Sequence, residues 1–400
     1  MHRGNKNFFL LWQGQLVSSF GDAIYSIALG FFVLQETGST AIMGSIMALV
    51  TIPRIVLGPI SGVIVDRWDR KRLIVLSDII CGIGIMMIAL LASNNLLEIW
   101  MIIVMAMILG VCSSFFNPAV ESILPDIVSK DKLIKATSSY QMATIGADIF
   151  GQSMGGVLYP LLGAPMMFLI NGISYIFSSI SELWINVPRV QRKKAKVTFK
   201  EDFIEGLKFI LKDEGLVRLL GICFFINFLF GMIRVSMIPW FVNSSHLGME
   251  RYGILNAFQS VGLIIGMISL SVVKIKSQDK YRLYLISVFI FIIGIGLEAV
   301  LNNFILILIF AVLSFGFQFV FNTLLNSTLM LKTPMEKRGK VSSTKITIGM
   351  AISPVGNFIG GILCEFLNPR LLIILNSLLG LLIVSIIVLH PSVKKFFNDE

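Results

Sequence analysis

The sequence predicts an all-α membrane protein whose twelve transmembrane helices form two six-helix halves, with both termini in the cytoplasm. Three observations support this prediction: the composition, the spacing of apolar segments and the distribution of basic residues. Of the 400 residues, 56% are hydrophobic and 14% are charged, whereas soluble domains carry about 25% charged residues. A mean hydropathy of +0.85 excludes a water-soluble globule, because a single core stops growing at roughly 250–300 residues.

Twelve apolar segments are separated by charged or Gly- and Pro-rich breaks, and each approaches the roughly 20 residues that cross a bilayer. The first is too long for a signal peptide, so we expect it to be retained. An even number of spans places both termini on the same side of the membrane. The predicted spans are 8–34, 41–64, 73–92, 98–122, 134–160, 164–186, 215–242, 252–273, 283–301, 304–331, 341–366 and 370–389.

The basic residues determine the orientation of these spans. The chain has 33 Lys and Arg residues against 23 Asp and Glu residues, a net charge of +10. Of the 33 basic residues, 29 fall in segments that the twelve spans place on one side, and the positive-inside rule assigns that side to the cytoplasm. The excess of basic residues is therefore explained by the orientation of the chain in the membrane. We expect no nucleic-acid partner for the basic cluster at 189–196.

The longest hydrophilic stretch divides the chain into an N-terminal half (1–186), a linker (187–214) and a C-terminal half (215–400). The linker contains an amphipathic pattern at 199–213, which favours a helix on the inner leaflet in contact with membrane lipid; binding of a partner is the alternative. The two halves also share a glycine pattern. With an offset of 205, one set of three glycines aligns with another: Gly151, Gly155 and Gly156 with Gly356, Gly360 and Gly361.

Parallel six-span repeats are a transporter architecture in which the binding site lies between the repeats. The loop between the second and third spans carries a more specific signal. It reads Gly62-Val-Ile-Val-Asp66-Arg67-Trp-Asp-Arg70-Lys71. This G-x-x-x-D-R-x-x-R-K pattern resembles motif A of the major facilitator superfamily, and with the twelve spans and the central loop the resemblance covers essentially the whole chain.

Shorter strings resemble one branch of that superfamily, the macrolide-efflux and siderophore exporters often called transmembrane secretion effectors. These strings are Gly21-Asp22, Pro53, Asn117-Pro118-Ala119, Leu124-Pro125-Asp126 and Gly155-Gly156. The resemblance implies the major facilitator fold, with spans 1, 4, 7 and 10 lining a central cavity.

Motif A predicts a gate at the cytoplasmic side. We expect Gly62, together with Gly58 one turn earlier, to allow helices to approach closely. Asp66 ends a helix, and the resemblance places it against the N-terminus of span 11 near Val341, where helix N–H groups attract a carboxylate. Lys71 either belongs to this gate or merely follows the positive-inside rule.

Two further basic residues of motif A, Arg67 and Arg70, need acidic partners. The candidates are Asp78 in span 3 and Glu121 or Asp126 at the inner end of span 4. Such a cluster would hold the two halves together at the cytoplasmic side.

Four ionisable residues lie near mid-span, where a bilayer makes them costly and where they mark functional sites by default: Asp22, Arg54, Asp148 and Arg234. Asp22 and Asp148 are candidate proton carriers, because apolar surroundings favour a protonated carboxyl group. Arg54 would favour the ionised form, and Arg234 would attract an anionic substrate or pair across the halves. The alternative is a static buried pair that only fixes helix packing.

Polar side chains recur at spacings of three and four along the first span, which predicts one cavity-facing stripe: Gln15, Ser18, Ser19, Asp22, Tyr25 and Ser26. Spans 4, 7 and 10 contribute further candidate cavity residues: Asn117, Glu121, Asn227, Gln318, Asn322 and Asn326. Three other acids are interpreted more simply, Glu182 as a packing residue and Glu298 and Glu365 as solvated residues near the outer interface.

The fifth span resembles motif C, the antiporter signature, in a shortened form that lacks the proline before the paired glycines. Its glycines are Gly146, Gly151, Gly155 and Gly156. Glycines allow close helix contact and bending, so simple packing is the alternative interpretation.

No nucleotide-binding, hydrolase or metalloprotease motif is present, so the sequence predicts neither an enzyme nor a cofactor. The four cysteines and three histidines lack metal-site spacing, and we expect no metal.

We therefore expect a monomeric secondary transporter in a bacterial plasma membrane. It would export a drug-like or amphipathic small molecule in exchange for protons, by alternating access. The alternatives are an importer or a lipid or metabolite translocase on the same fold, and a membrane protein without transport activity.

Overall fold

The computed structural model describes residues 3–187, 199–273 and 275–398, and every regular element among them is helical. Hydrocarbon offers no hydrogen-bond partner to a peptide group, so a span must satisfy its own backbone, as an α-helix does. The helices are α1 (Arg3–Thr37), α2 (Thr40–Leu49), α3 (Ile52–Arg67), α4 (Arg70–Ser93), α5 (Ile99–Ile127), α6 (Leu133–Leu183), α7 (Phe199–Leu211), α8 (Glu214–Asn243), α9 (Gly248–Val272), α10 (Lys280–Val300), α11 (Phe304–Lys332), α12 (Arg338–Phe366), α13 (Pro369–Val388) and α14 (Pro391–Asn398).

Several helices begin where an Asp or Asn side chain accepts a hydrogen bond from the first turn. Asp69 accepts from the Arg72 N–H at 3.2 Å before α4, and Asp213 accepts from the Leu216 N–H at 2.9 Å before α8. Asn303 does the same before α11. These caps satisfy N–H groups that have no partner within the helix.

Eleven of the helical stretches in the described residues are long and apolar enough to cross a membrane. One of them, the 51-residue helix α6, is interrupted at Gly163, whose φ of 71° and ψ of 166° leave the helical region. A positive φ suits glycine, and Pro165 follows two residues later. The interruption gives α6 a first segment before Gly163 and a second segment after it, which correspond to the predicted spans 134–160 and 164–186.

The second predicted span, 41–64, consists of two helices. The helix α2 ends at Leu49, and α3 begins at Ile52 with Pro53 in its first turn. Proline has no N–H to donate to the preceding turn, so it suits the start of a helix but not its interior. The break places Arg54 in the first turn of α3.

The described residues divide into two compact units. The first contains those of Met1–Gly38, Ile46–Lys196 and Met249–Ile254, and the second contains those of Ser39–Ser45, Val197–Gly248 and Leu255–Glu400. Each unit thus includes a short piece from the other side of the predicted linker.

In the first unit, α1 packs against the second segment of α6. Gly21 allows this approach, because a Cβ atom on Gly21 would lie 3.0 Å from the Cβ of Ser174. In the second unit, α8 approaches α12 at Gly231, where an added Cβ would lie 2.6 Å from the Ser353 carbonyl oxygen.

Two glycine crossings repeat the pattern found in the sequence. In the first unit, a Cβ on Gly156 would lie 2.6 Å from the Cα of Gly253, at the start of α9. In the second unit, a Cβ on Gly361 would lie 3.1 Å from the Cα of Gly44, in α2. The paired glycines therefore mark two helix crossings of the same kind.

Two helices outside the predicted spans pack on the second unit. Lys340 of α12 lies 2.6 Å from the carboxylate of Glu205 in the amphipathic helix α7. The helix α14, which the sequence analysis did not predict, stacks Phe397 on Tyr284 of α10 with ring centroids 4.7 Å apart. The helix α7 is thus joined to α12 by an ion pair, and α14 buries an aromatic ring against α10.

Replacement of Gly156 by leucine tests the first crossing. The added side chain would overlap the backbone of α9, and overpacking costs roughly 1–3 kcal/mol. We expect a clear fall in the unfolding temperature of purified Gly156→Leu in detergent. Gly146 is the matched control on the same helix, because a Cβ there meets no atom within 4 Å. Equal unfolding temperatures for the two variants would contradict the crossing.

Candidate functional site

The candidate functional site is a cavity of about 330 Å³ formed by helices of the first unit. Side chains from α1, α3, α4, α5 and α6 line it, and most of them are polar or ionisable. They are Gln15, Ser18, Ser19, Asp22, Arg54, Ser77, Asp78, Cys81, Leu109, Cys112, Ser113, Phe116, Asn117, Tyr140, Thr144 and Tyr175.

The polar stripe of α1 supplies one wall of the cavity. Gln15, Ser18 and Asp22 occupy successive turns, and all three line the cavity. The carboxylate of Asp22 is exposed to this space and accepts a hydrogen bond from the Asn171 amide at 3.2 Å. Tyr175 lies beside the same carboxylate. Asp22 is therefore held in a defined position, with room for water or a ligand in front of it.

Arg54 lines the same cavity as Asp22. It is half-buried, and the helix break after α2 brings it there from the first turn of α3. A cation and a carboxylate in one largely enclosed cavity interact more strongly than they would in water. Asp22 and Arg54 thus place opposite charges on the wall of one cavity.

Tyr25 lies away from the cavity wall, although it belongs to the predicted stripe. It is 5% exposed, and its ring packs against Phe168 with the centroids 5.1 Å apart. The aromatic ring is drawn to the apolar contact with α6, so the stripe leaves the cavity one turn after Asp22.

Asp148 lies on α6, and its exposed carboxylate accepts a hydrogen bond from Gln152 at 2.9 Å. It is absent from the cavity lining. Of the two residues predicted on span 4, Asn117 lines the cavity, whereas Glu121 is exposed outside the lining.

The motif A loop forms one well-defined ion pair. Arg70 lies 3.0 Å from the carboxylate of Asp126, with both side chains largely buried. Lys71 donates a hydrogen bond to the Leu183 carbonyl oxygen at 2.7 Å. Asp78, a third candidate partner for the arginines, is instead buried beside Ser178 in the cavity wall.

Other parts of motif A differ from expectation. Gly58 and Gly62 face open space, because a Cβ on either would meet no described atom within 4 Å. They do not mediate a close helix contact in this structure. The side chains of Asp66 and Arg67 lie outside the described residues, although the helix α3 extends to Arg67.

The candidate residues of the second unit are more dispersed. Arg234 of α8 and Asn322 of α11 are exposed, and Gln318 is half-buried. The Asn227 amide donates to the Cys223 carbonyl oxygen at 2.7 Å. Asn326 accepts a hydrogen bond from Lys345.

Of the two acids interpreted as solvated residues, Glu298 is buried instead, whereas Glu365 is exposed and also has a structural role. Glu298 is fully buried in the second unit, where Ser314 donates to its carboxylate at 3.2 Å. Glu365 is exposed, but it accepts hydrogen bonds from the Ser39 hydroxyl at 2.6 Å and from the Ala41 N–H at 2.9 Å. It thereby caps the start of α2.

Sequence reasoning missed the contribution of α6 to the cavity. Tyr140, Thr144 and Tyr175 all line it, and Glu182 is fully buried nearby. A signal was available, because polar residues recur at helical spacing along the second segment of α6. These residues are Asn171, Ser174, Tyr175, Ser178, Ser181 and Glu182.

The sequence model of the Major Facilitator Superfamily matches residues 11–354. Macrolide efflux protein A of Streptococcus pyogenes is 23% identical over 400 residues, covering 97% of this chain and 96% of that protein. The staphyloferrin A transporter of Staphylococcus aureus is 25% identical over 351 residues, covering 86% of each chain.

Solved structures share the fold. The nucleoside transporter NupG superposes with a TM-score of 0.75 at 11% identity, covering 97% of this chain and 98% of that one. A bacterial homologue of the iron transporter ferroportin, in an inward-facing state, superposes with a TM-score of 0.74 at 14% identity, covering 96% and 99%. At these identities the likeness concerns the fold alone.

Thiol labelling tests the position of the cavity. In a cysteine-free background, Asn117→Cys places a thiol in the cavity wall, whereas Ala119→Cys, two residues along α5, places one in a fully buried position. A water-soluble thiol reagent should modify the first at least about tenfold faster, because thiol reactivity requires access. Similar rates would show that the wall of α5 is misassigned.

Proposed function

The chain belongs to the Major Facilitator Superfamily, and from this premise we propose that it exports a drug-like or amphipathic small molecule in exchange for protons. It is a multi-pass membrane transporter and not an enzyme. The observation that carries the proposal is the cavity of the first unit, which is lined by both the carboxylate of Asp22 and the guanidinium of Arg54.

Proton exchange requires a group that changes charge inside the membrane. Asp22 meets this need, because it is accessible from the cavity and is held by Asn171. When it is ionised, Arg54 stabilises its charge; when it is protonated, Arg54 is released to interact with other groups. We propose that a proton from outside binds as the substrate leaves and is released inward as the halves rock. Asp148 is a second candidate carrier.

The substrate proposal rests on the relatives and on the cavity lining. Two relatives are named for macrolide efflux and for staphyloferrin A transport, so macrolide-type export is the specific hypothesis. The cavity combines carboxylate, guanidinium and hydroxyl groups with Phe116 and Leu109, which suits a molecule with both polar and apolar surfaces.

We further propose a monomer in the bacterial plasma membrane with twelve spans, cytoplasmic termini and two six-helix halves (1–186 and 215–400) joined by the linker 187–214. The excess of basic residues in the loops on one side supports this topology. Contact of α7 with membrane lipid belongs to the same proposal.

Motif A is proposed as the cytoplasmic gate. The ion pair between Arg70 and Asp126, together with the bond from Lys71 to α6, supports this role because it anchors the loop to α5 and α6. For the glycines of the motif C-like segment, the crossing at Gly156 favours the packing interpretation over an antiporter-specific role.

Two alternatives remain distinct from export. An importer or a lipid or metabolite translocase would use the same cavity in another direction or from the lipid side. A membrane protein without transport activity would show no substrate-dependent proton movement after reconstitution.

Efflux measured in cells tests the coupling. We expect extrusion of an accepted macrolide or dye to collapse when a protonophore dissipates the proton gradient. Asp22→Asn should lower gradient-driven efflux at least about tenfold, because an amide group does not ionise and so cannot bind and release a proton at this position. Glu121→Gln, which lies outside the cavity lining, is the matched control. The efflux of Asp148→Asn measures how much the second candidate carrier contributes to proton coupling. Normal efflux by Asp22→Asn would contradict the role of Asp22.

The direction of transport is tested separately with the same labelled molecules. An exporter lowers their content in cells that express the wild-type chain, relative to cells that express Asp22→Asn at equal membrane abundance. Net accumulation would instead support the importer, because the sign of the change follows the direction of the coupled flux.

A further inference from the structure

A pair of acidic residues lies in the first unit beside the cavity, apart from Asp22. Asp78 of α4 is 2% exposed, and Glu182 of the second segment of α6 is fully buried. We call these two residues the acidic pair. Asp78 belongs to the cavity lining, whereas Glu182 lies behind it.

One serine hydroxyl links the two carboxyl groups. Ser178 donates to a carboxylate oxygen of Glu182 at 3.5 Å, and it also hydrogen-bonds Asp78. Gln15 contacts Glu182 from α1 and accepts a hydrogen bond from the Tyr140 hydroxyl at 3.0 Å. In the described residues, the Oδ2 atom of Asp78 and the Oε2 atom of Glu182 have no hydrogen-bond partner.

Among the residues that the structure describes, the electrostatic neighbours of the acidic pair include no lysine or arginine. Asp78 interacts electrostatically with Glu182, Asp22 and Cys112, and Glu182 interacts with Asp78. The phenol of Tyr140 faces both acids. Each of these neighbours is neutral or acidic, and Arg54 acts on Asp22 in another part of the wall.

Two neighbouring buried carboxylates without a cation cannot both be ionised, because their repulsion adds to the cost of removing each charge from water. A single proton resolves the conflict. Once one of the two acids is protonated, the Ser178 hydroxyl, which contacts both, can accept a hydrogen bond from the protonated acid and donate one to the ionised acid. Other paired carboxylates that share a site behave in this way.

We propose that Asp78 and Glu182 form a proton-binding site that holds one proton between them and exchanges it with water in the cavity through Asp78. The proton arrives from a hydronium ion, which becomes water, and it leaves by the reverse step. This inference rests on the proposed proton coupling and adds a proton site behind Asp22 that is separate from Asp148. The two sites interact, since the charge of Asp22 acts on Asp78.

Infrared spectroscopy of the purified full-length protein tests the shared proton without any substrate. At neutral pH, the wild type should show a carbonyl band of a protonated carboxyl group that shifts on exchange into heavy water. Asp78→Asn and Glu182→Gln should each remove the same band, because the amide N–H replaces the proton and leaves the other carboxyl group ionised. Glu121→Gln, an exposed acid, should leave the band unchanged.

The pH dependence of stability provides a second readout. The folded pair holds a proton that the unfolded chain releases, so the wild type loses stability as the pH rises. A difference of one bound proton changes the unfolding equilibrium constant about tenfold per pH unit. Each single variant, and the double variant, should lose this one-proton slope between about pH 5 and about pH 8, whereas Glu121→Gln keeps it.

The outcomes separate this inference from the proposed function. If the infrared band and the pH slope both persist in each single variant, the two acids do not share a proton. The same conclusion follows if the pH slope of the double variant differs from that of the wild type by two protons instead of one. Neither measurement requires transport. A wild type that shows no proton-driven efflux but passes both tests therefore refutes coupled export and leaves the proton site standing.

Discussion

The hydrocarbon interior of a bilayer cannot form hydrogen bonds, and this constraint governs both the fold and the site of the molecule. It requires each span to be a helix, and it makes every polar side chain in a span seek a partner or water inside the protein. In the first unit, Gln15, Ser18 and Asp22 follow this rule by facing one cavity. Across the cavity, Asn171 and Tyr175 meet them from α6. The same requirement thus creates the helices and gathers the ionisable groups between them.

The two units repeat a backbone pattern but not a chemistry. Glycine crossings at Gly156 and at Gly361 have the same form in the two units. The first unit nevertheless holds Asp22, Arg54, Asp78 and Glu182 around one cavity, while the buried acid of the second unit, Glu298, is bound by Ser314. An apolar cavity of about 240 Å³ in the second unit is lined by aliphatic and aromatic residues from α9, α10 and α11. The ionisable side chains therefore cluster around a cavity in the first unit, whereas the cavity in the second unit is lined mainly by apolar residues.

The extent of the helices follows from the sequence, because twenty apolar residues between charged breaks have few other solutions in a membrane. The stripe on α1 was likewise visible as far as Asp22. What failed was the assignment of single side chains whose surroundings depend on distant residues. Tyr25 has the spacing of the stripe, but its ring packs against Phe168. Glu298 has the sequence position of an interfacial residue, but its carboxylate accepts a hydrogen bond from Ser314. The sequence offers Asp78, Glu121 and Asp126 as partners for Arg67 and Arg70 without choosing among them, and the structure pairs Arg70 with Asp126 while Asp78 lies beside Ser178.

The glycine crossings also bear on how the chain is made. Gly156 packs against Gly253, which belongs to a helix beyond the linker. Gly44 of α2 packs against Gly361, which lies near the other end of the chain. During translation, the earlier glycine of each pair is synthesised and inserted into the membrane long before the later one. Neither unit can therefore reach its final packing as an independent co-translational module. Until the C-terminal half has been inserted, the helix surfaces around Gly44 and Gly156 in the nascent N-terminal half lack the helices they pack against in the final structure.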